Sequence, residues 1–285
     1  MRLLVFLVGC FVNNPVAYAI AERLTRLAAT IRPAASESID WYRKFYNLTG
    51  PDADARRFYT TGRVYKFFYY IDLFTFAAAS ESTLRRRMDV VGVEHFDRVK
   101  GSGRPILFLQ MHSGSFYMLL VWLASGWKRI NAVFVNQSRL RQAIHDAALN
   151  PYLDHRLQSY HEIVAGLRRG ESCLVMFDGG KFRPKNAEHL VVNGCDLYFP
   201  TSSLAMARET GCHILPVYST RTKWNRTIFH FGEPVDCERT RSMAEIFEWY
   251  HHHLNRDPAQ WYALVENLTA GERIRSQSTA NAQGN

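Results

Sequence analysis

The sequence is poor in the features that define many other protein classes. Five cysteines, Cys10, Cys173, Cys195, Cys212 and Cys237, are an odd number and follow no disulfide or zinc spacing. They read as reduced and mostly buried, as in a cytoplasmic environment. No internal repeat breaks the 285 residues, which suits one sizeable domain with helical additions. No RNA-binding motif or recognition helix stands out, so no nucleic-acid partner is expected. His251-His252-His253 are consecutive, so on a helix they face different ways and form no ligand pair. No metal site is expected.

Long apolar runs are also missing. Residues 2–20 begin as one, but Asn13, Asn14 and Pro15 interrupt it, and a membrane span needs about 20 apolar residues. Leu7-Val8-Gly9-Cys10 has the pattern of a lipoprotein cleavage box, yet the run before it is too short for a signal peptide. Two readings remain here: a segment lying shallowly on a membrane and followed by the basic helix Ala17–Arg32, or an ordinary amphipathic core helix.

What the chain does have is apolar content (47% hydrophobic, 13% aromatic) and a net charge of +9. The charge favours acidic partners, such as an anionic membrane surface or an acidic carrier protein. Residues 1–32 form a membrane-proximal segment and 33–89 a helical region with a polar linker at Pro33–Ser38. Its long aromatic stripe over Ala53–Ala79 reads as core, a membrane-facing surface or a wall for an acyl chain.

From Val90 to residue 270 short apolar runs alternate with helices. Strands are expected at Val90–Val93, Pro105–Met111, Asn131–Val135, Cys173–Phe177, His213–Tyr218 and Thr227–Phe231, with extended pieces at Leu190–Val192 and Leu197–Pro200. Helices are expected at Glu94–Lys100, Gln142–Asn150, Leu157–Leu167, Ser203–Thr210, Ser242–His253 and Pro258–Asn267. This alternation predicts an α/β fold: a mixed, mostly parallel sheet flanked by helices, with helical N- and C-terminal segments. Residues 271–285 carry no apolar pattern and read as a disordered tail.

The stretch Pro105–Ala124 organises the core. Its apolar strand breaks at His112-Ser113-Gly114-Ser115 and resumes as an apolar helix. Ser113 or Ser115 can cap that helix and Gly114 can turn the backbone sharply. A histidine beside the free amides of a helix start is an arrangement suited to acyl transfer. Asp178 follows another strand; it could serve the site or cap the Gly179-Gly180 turn.

These residues resemble the lysophospholipid acyltransferase superfamily, in particular the bacterial late acyltransferases that add lauroyl or myristoyl chains to lipid A. The resemblance covers roughly Val90–Leu264. It is carried by His112-Ser113-Gly114-Ser115-Phe116, by Leu167–Gly170 with Leu174–Asp178, by Tyr198-Phe199-Pro200-Thr201 through Pro216-Val217, and by Pro258-Ala259-Gln260-Trp261. It implies a glycerolipid-acyltransferase-like fold at the cytoplasmic face of the bacterial inner membrane, peripheral or monotopic. It also implies an enzyme without metal or cofactor, with an acyl carrier protein or coenzyme A thioester as donor. The acceptor would be a hydroxyl or amine of a membrane lipid or glycolipid. His112 would be the general base. Ser113, Gly114, Ser115, Arg139 and Thr201 would lie on the substrates, and Trp261 would anchor packing.

One position departs from the family pattern. Its acid should stand five residues after the histidine, where this chain has Tyr117. A neutral phenol can orient an imidazole but supplies no charge to stabilise its cation. Three readings follow: Tyr117 orients His112, or Asp178 has taken over, or the chain is a catalytically impaired relative that binds lipid or acts as a scaffold.

Overall fold

A computed structural model describes residues 8–10, 14–31, 36–48, 52–134, 138–178, 186–223, 226–261, 263–265 and 267–269. Helices α1 (Pro15–Ile31), α2 (Ser36–Phe45), α3 (Asp52–Ala78) and the short α4 (Glu81–Arg85) precede the sheet. The core follows as β1 (Met88–Val91), α5 (Val93–Lys100), β2 (Ile106–Gln110), α6 (Met118–Gly126), β3 (Ile130–Val133), α7 (Arg139–Leu149) and β4 (Leu153–Leu157). Next come α8 (Tyr160–Arg168), β5 (Cys173–Met176), β6 (Ala187–Val192), β7 (Cys195–Pro200) and α9 (Ser202–Thr210). The remaining elements are β8 (His213–Lys223), β9 (Arg226–Phe231) and α10 (Met243–Arg256), then a 3₁₀ turn at Pro258–Gln260.

Among the described residues, seven strands form one sheet in the order β1-β9-β8-β2-β5-β3-β4. Strands β8 and β9 pair antiparallel and the other neighbours parallel, so the sheet is mixed and mostly parallel. Strands β6 and β7 form a separate antiparallel hairpin. All five residues of central strand β2 are buried, as a strand covered on both faces requires. Leu107 and Leu109 point into the layer containing α8, α9 and α10, whereas Ile106 and Phe108 point into the layer containing α6. The period-2 alternation of one strand thus feeds two hydrophobic cores.

The aromatic stripe of α3 is mainly packing. Ala55 belongs to the first core, Val64, Phe68 and Ile71 to a small cluster with Tyr18 of α1, and Leu73 and Phe76 to the second core. The helix therefore runs from one face of the sheet to the other.

Several expected boundaries are corrected. Strand β4 takes up Leu157, which the sequence pattern assigned to a helix; the helix itself begins at Tyr160 behind the Ser159 cap. LDHRL has a polar centre and, among the described residues, pairs only with β3 at the sheet edge, so it shows little apolar signal. Helix α2 begins at Ser36, inside the expected linker. The helix expected over Pro258–Asn267 opens as a 3₁₀ turn that ends at Trp261. Strand β8 continues past Tyr218 to Lys223. The tail after Gly271 lies outside the described residues. So do Val135, Gly179-Gly180 and the basic residues Lys181, Arg183 and Lys185.

Candidate active site

Ligands of open α/β sheets gather beyond the carboxyl ends of the strands. Here β2 and β5 lie side by side and parallel, with Gln110 opposite Met176. Two residues further along each strand stand His112 and Asp178. The register thus brings them together, and the Phe177 amide, donating to the Gln110 carbonyl at 3.1 Å, extends the pairing toward them.

Asp178 holds His112 at two points. Its Oδ1 lies 2.8 Å from His112 Nδ1, and its Oδ2 accepts the His112 backbone N–H at 2.9 Å. Oδ2 also accepts Nε1–H of Trp261 at 2.6 Å. Asn267 donates its side-chain amide to the Asp178 carbonyl at 3.3 Å. The carboxylate side chain is fully buried, whereas the imidazole is 30% exposed. A buried carboxylate with three donors is fixed in place and cannot swing away from the ring. The edge of the imidazole meets Phe116, with ring centres 5.1 Å apart.

Tyr117 occupies a different environment. Its ring stacks on Phe134 at 5.5 Å and lies 5.7 Å from Tyr69 and 5.6 Å from His145. Burial pushes its phenol well above the ordinary tyrosine range, so it stays protonated. His145, on α7, pairs through Nε2 with the Tyr69 hydroxyl. Burial, with Arg156 and Arg141 nearby, lowers its pKa to about 3. The residue five after His112 is thus part of an aromatic cluster, while the acid that meets His112 comes from the neighbouring strand.

The turn Gly114–Tyr117 separates His112 from α6, which begins at Met118 without a side-chain cap. This corrects the expected capping by Ser113 or Ser115. The amides of Met118, Leu119 and Leu120 donate to the carbonyls of Ser115, Phe116 and Tyr117, so they are not open to an anion. Gly114 has φ of +50°, and a Cβ there would stand 2.6 Å from the Ser219 carbonyl, so the turn needs glycine against β8. Ser113 is buried; its carbonyl accepts the Ser219 hydroxyl, and its backbone bridges Trp261.

Ser115 is also buried, and its hydroxyl donates to Asp72 of α3 at 2.6 Å. Arg221 of β8 donates through one terminal nitrogen to both Asp72 and Ser115. Burial pushes the Asp72 carboxyl up, while Arg221 and Ser115 pull it back. Both members of this ion pair are almost fully enclosed, with side chains 2% and 7% exposed. Gln260 fixes the Arg221 backbone from both sides, accepting its N–H at 3.0 Å and donating to its carbonyl at 2.9 Å.

Arg139 and Thr201 are not brought into this group of contacts. Arg139 is exposed at the first position of α7. Thr201 precedes α9, where its backbone N–H and hydroxyl both donate to the Asn186 carbonyl, at 3.1 and 3.4 Å. Sequence reasoning missed Asp72, Arg221, Gln260 and Asn267, and it read Trp261 as a packing anchor. The Pro258-Ala259-Gln260-Trp261 motif was the available signal: Gln260 holds Arg221 and Trp261 holds Asp178.

Among the described residues, no helix is long and apolar enough to cross a membrane. A search of curated proteins gives no match. Among solved structures, the 1-acyl-sn-glycerophosphate acyltransferase PlsC from Thermotoga maritima aligns with a TM-score of 0.39 at 16% identity, over 84% of this chain and 95% of that one. The model of the bacterial lipid A biosynthesis acyltransferases matches residues 63–268. That span runs from the middle of α3 past Asn267 and contains His112, Asp178, Arg221 and Trp261, and the chain belongs to this acyltransferase family.

Proposed function

We propose that this acyltransferase moves a fatty acyl chain from an acyl carrier protein or coenzyme A thioester to a hydroxyl of a glycolipid-like acceptor. His112 acts as general base. The observation that carries this reading is the buried Asp178 carboxylate on His112 Nδ1. An Nδ1–H donated to that carboxylate fixes the tautomer, which makes Nε2 the basic nitrogen of the ring. It removes the acceptor hydroxyl proton as the oxygen attacks the thioester carbonyl. The tetrahedral intermediate collapses with cleavage of the carbon–sulfur bond, and the imidazolium returns its proton to the leaving thiolate. Asp178 orients the ring and stabilises the cation formed during attack, the task of the carboxylate in a hydrolase triad. On this reading Tyr117 is not the partner of His112, and the loss of an acid at that position does not imply loss of catalysis.

The same reading places the protein on the cytoplasmic face of the inner membrane through α1. Val16, Ile20, Leu24, Leu27 and Ile31 are all more than half exposed and recur at helical spacing. Exposed Arg23 and Arg26 can reach anionic headgroups beside that stripe. A 17-residue amphipathic helix of this kind lies in an interface rather than across it.

The test is acyl transfer from carrier-protein and coenzyme A thioesters by wild type and His112→Ala. Wild type should turn over and the variant should not; equal rates in both would overturn the assignment of the base.

A further inference from the structure

The cluster around Arg221 joins three elements that are remote in sequence. Its other terminal nitrogen donates to the Tyr18 hydroxyl of α1 at 3.1 Å. Tyr18 is fully enclosed, and its ring stacks on Phe68 of α3 at 4.7 Å. The Arg221 guanidinium lies over the same Phe68 ring, 5.6 Å from its centre. One planar cation therefore touches α1 through Tyr18, α3 through Asp72 and Phe68, and the turn after His112 through Ser115. Arginine suits this place because its fork can serve several acceptors while its face rests on an aromatic ring.

A generic core does not need this group. An isosteric apolar set would satisfy the same space, since buried ion pairs are often no more stabilising than hydrophobic replacements. What the ion pair adds is direction: it fixes Ser115, three residues after His112, against β8. The turn is tightly constrained on that side, because Gly114 already lies against the Ser219 carbonyl.

We propose that Arg221 is a positioning residue for the acyl-transfer site, tying the His112 turn to α3 and, through Tyr18, to α1. The inference rests on His112 being the base. It adds that the seating of the helix with the exposed apolar stripe sets the geometry of the turn that carries that base.

Two mild variants test it. Ser115→Ala removes the hydroxyl gripped by Arg221 and Asp72. Tyr18→Phe keeps the stack on Phe68 and removes the hydroxyl that Arg221 meets. Hydrogen exchange is read on peptides spanning 112–120, where the amides of Met118, Leu119 and Leu120 report on the turn. The expected result is faster exchange there in both variants, with exchange in β2 and β5 unchanged and at most a small drop in the thermal midpoint. The value of kcat should fall about ten- to a hundred-fold in Ser115→Ala and less in Tyr18→Phe, with KM for the thioester retained. Unchanged exchange over 112–120 in both variants overturns the proposal. Faster exchange throughout the protein with a lowered midpoint also overturns it, since the cluster is then only a staple of the fold. Exchange needs no turnover. A wild type without transferase activity would end the acyltransferase reading and still leave this link decided by exchange.

Discussion

Asp178 meets His112 with both carboxylate oxygens, one on the ring and one on the backbone amide. Replacing it by Asn keeps the shape and removes the charge that supports the imidazolium. Asp178→Asn should lower kcat by about 10³–10⁴-fold with little change in KM, by analogy with the charge-removing change in a catalytic triad. Steady-state kinetics would show it. Tyr117 should behave in the opposite way. Tyr117→Phe keeps the ring among Phe134, Tyr69 and His145, so turnover should stay within about threefold of wild type, the small effect expected away from the reacting atoms. Tyr117→Glu restores the family pattern in sequence, but here it would bury a carboxylate in an aromatic cluster. Urea denaturation should show a lower stability than wild type, because desolvation dominates at this site although Tyr69 and Arg156 lie near it. His112 was legible as a base candidate because a histidine followed an apolar strand and preceded a glycine turn. Its partner was legible only as one of three alternatives, because the deciding contact depends on which strand lies beside β2. The contacts of the Arg221 side chain bring together residues 18, 68, 72, 115 and 221, and no local pattern records such a meeting.

Two helices carry predictions of their own. The outward stripe of α1 should bind vesicles containing an anionic phospholipid, and raising the salt concentration should weaken that binding by screening Arg23 and Arg26. Replacing both Leu24 and Leu27 by Asp should abolish co-sedimentation while leaving the fold intact, because both side chains are more than half exposed. Undiminished binding would exclude α1 as the docking element. Helix α7 carries His145, whose pKa is lowered to about 3 in the folded protein. The unfolded chain binds that proton near the ordinary histidine value of about 6.5, so acid favours unfolding. The stability that neutral His145 allows is complete above roughly pH 6.5. It is lost as pH falls toward 3, by up to about 1.4 kcal/mol per pH unit from this group. Denaturation midpoints at pH 7.5 and pH 5 should therefore differ, with the lower value at pH 5, and His145→Gln should flatten the slope. At this scale the sequence was readable where apolar period and length agreed, as in α3 and β2. It was unreadable at β4, where an edge strand with one partner carries polar residues at its centre.

Over the whole molecule, two hydrophobic cores hold a mostly parallel sheet, and α3 runs from one to the other. Alternating strands and helices made this architecture legible from the sequence, because a parallel sheet needs crossover helices and buried strands. The strand order was not legible, and it is the order that gives the site: β2 between β5 and β8 puts Asp178 on one side of His112 and Arg221 on the other. The most direct test of this account is one comparison of kcat for acyl transfer from a carrier-protein thioester by wild type, Asp178→Asn and Tyr117→Phe. Near-wild-type turnover is expected for Tyr117→Phe and a loss of about 10³-fold or more for Asp178→Asn. A crippled Tyr117→Phe beside an active Asp178→Asn would contradict it.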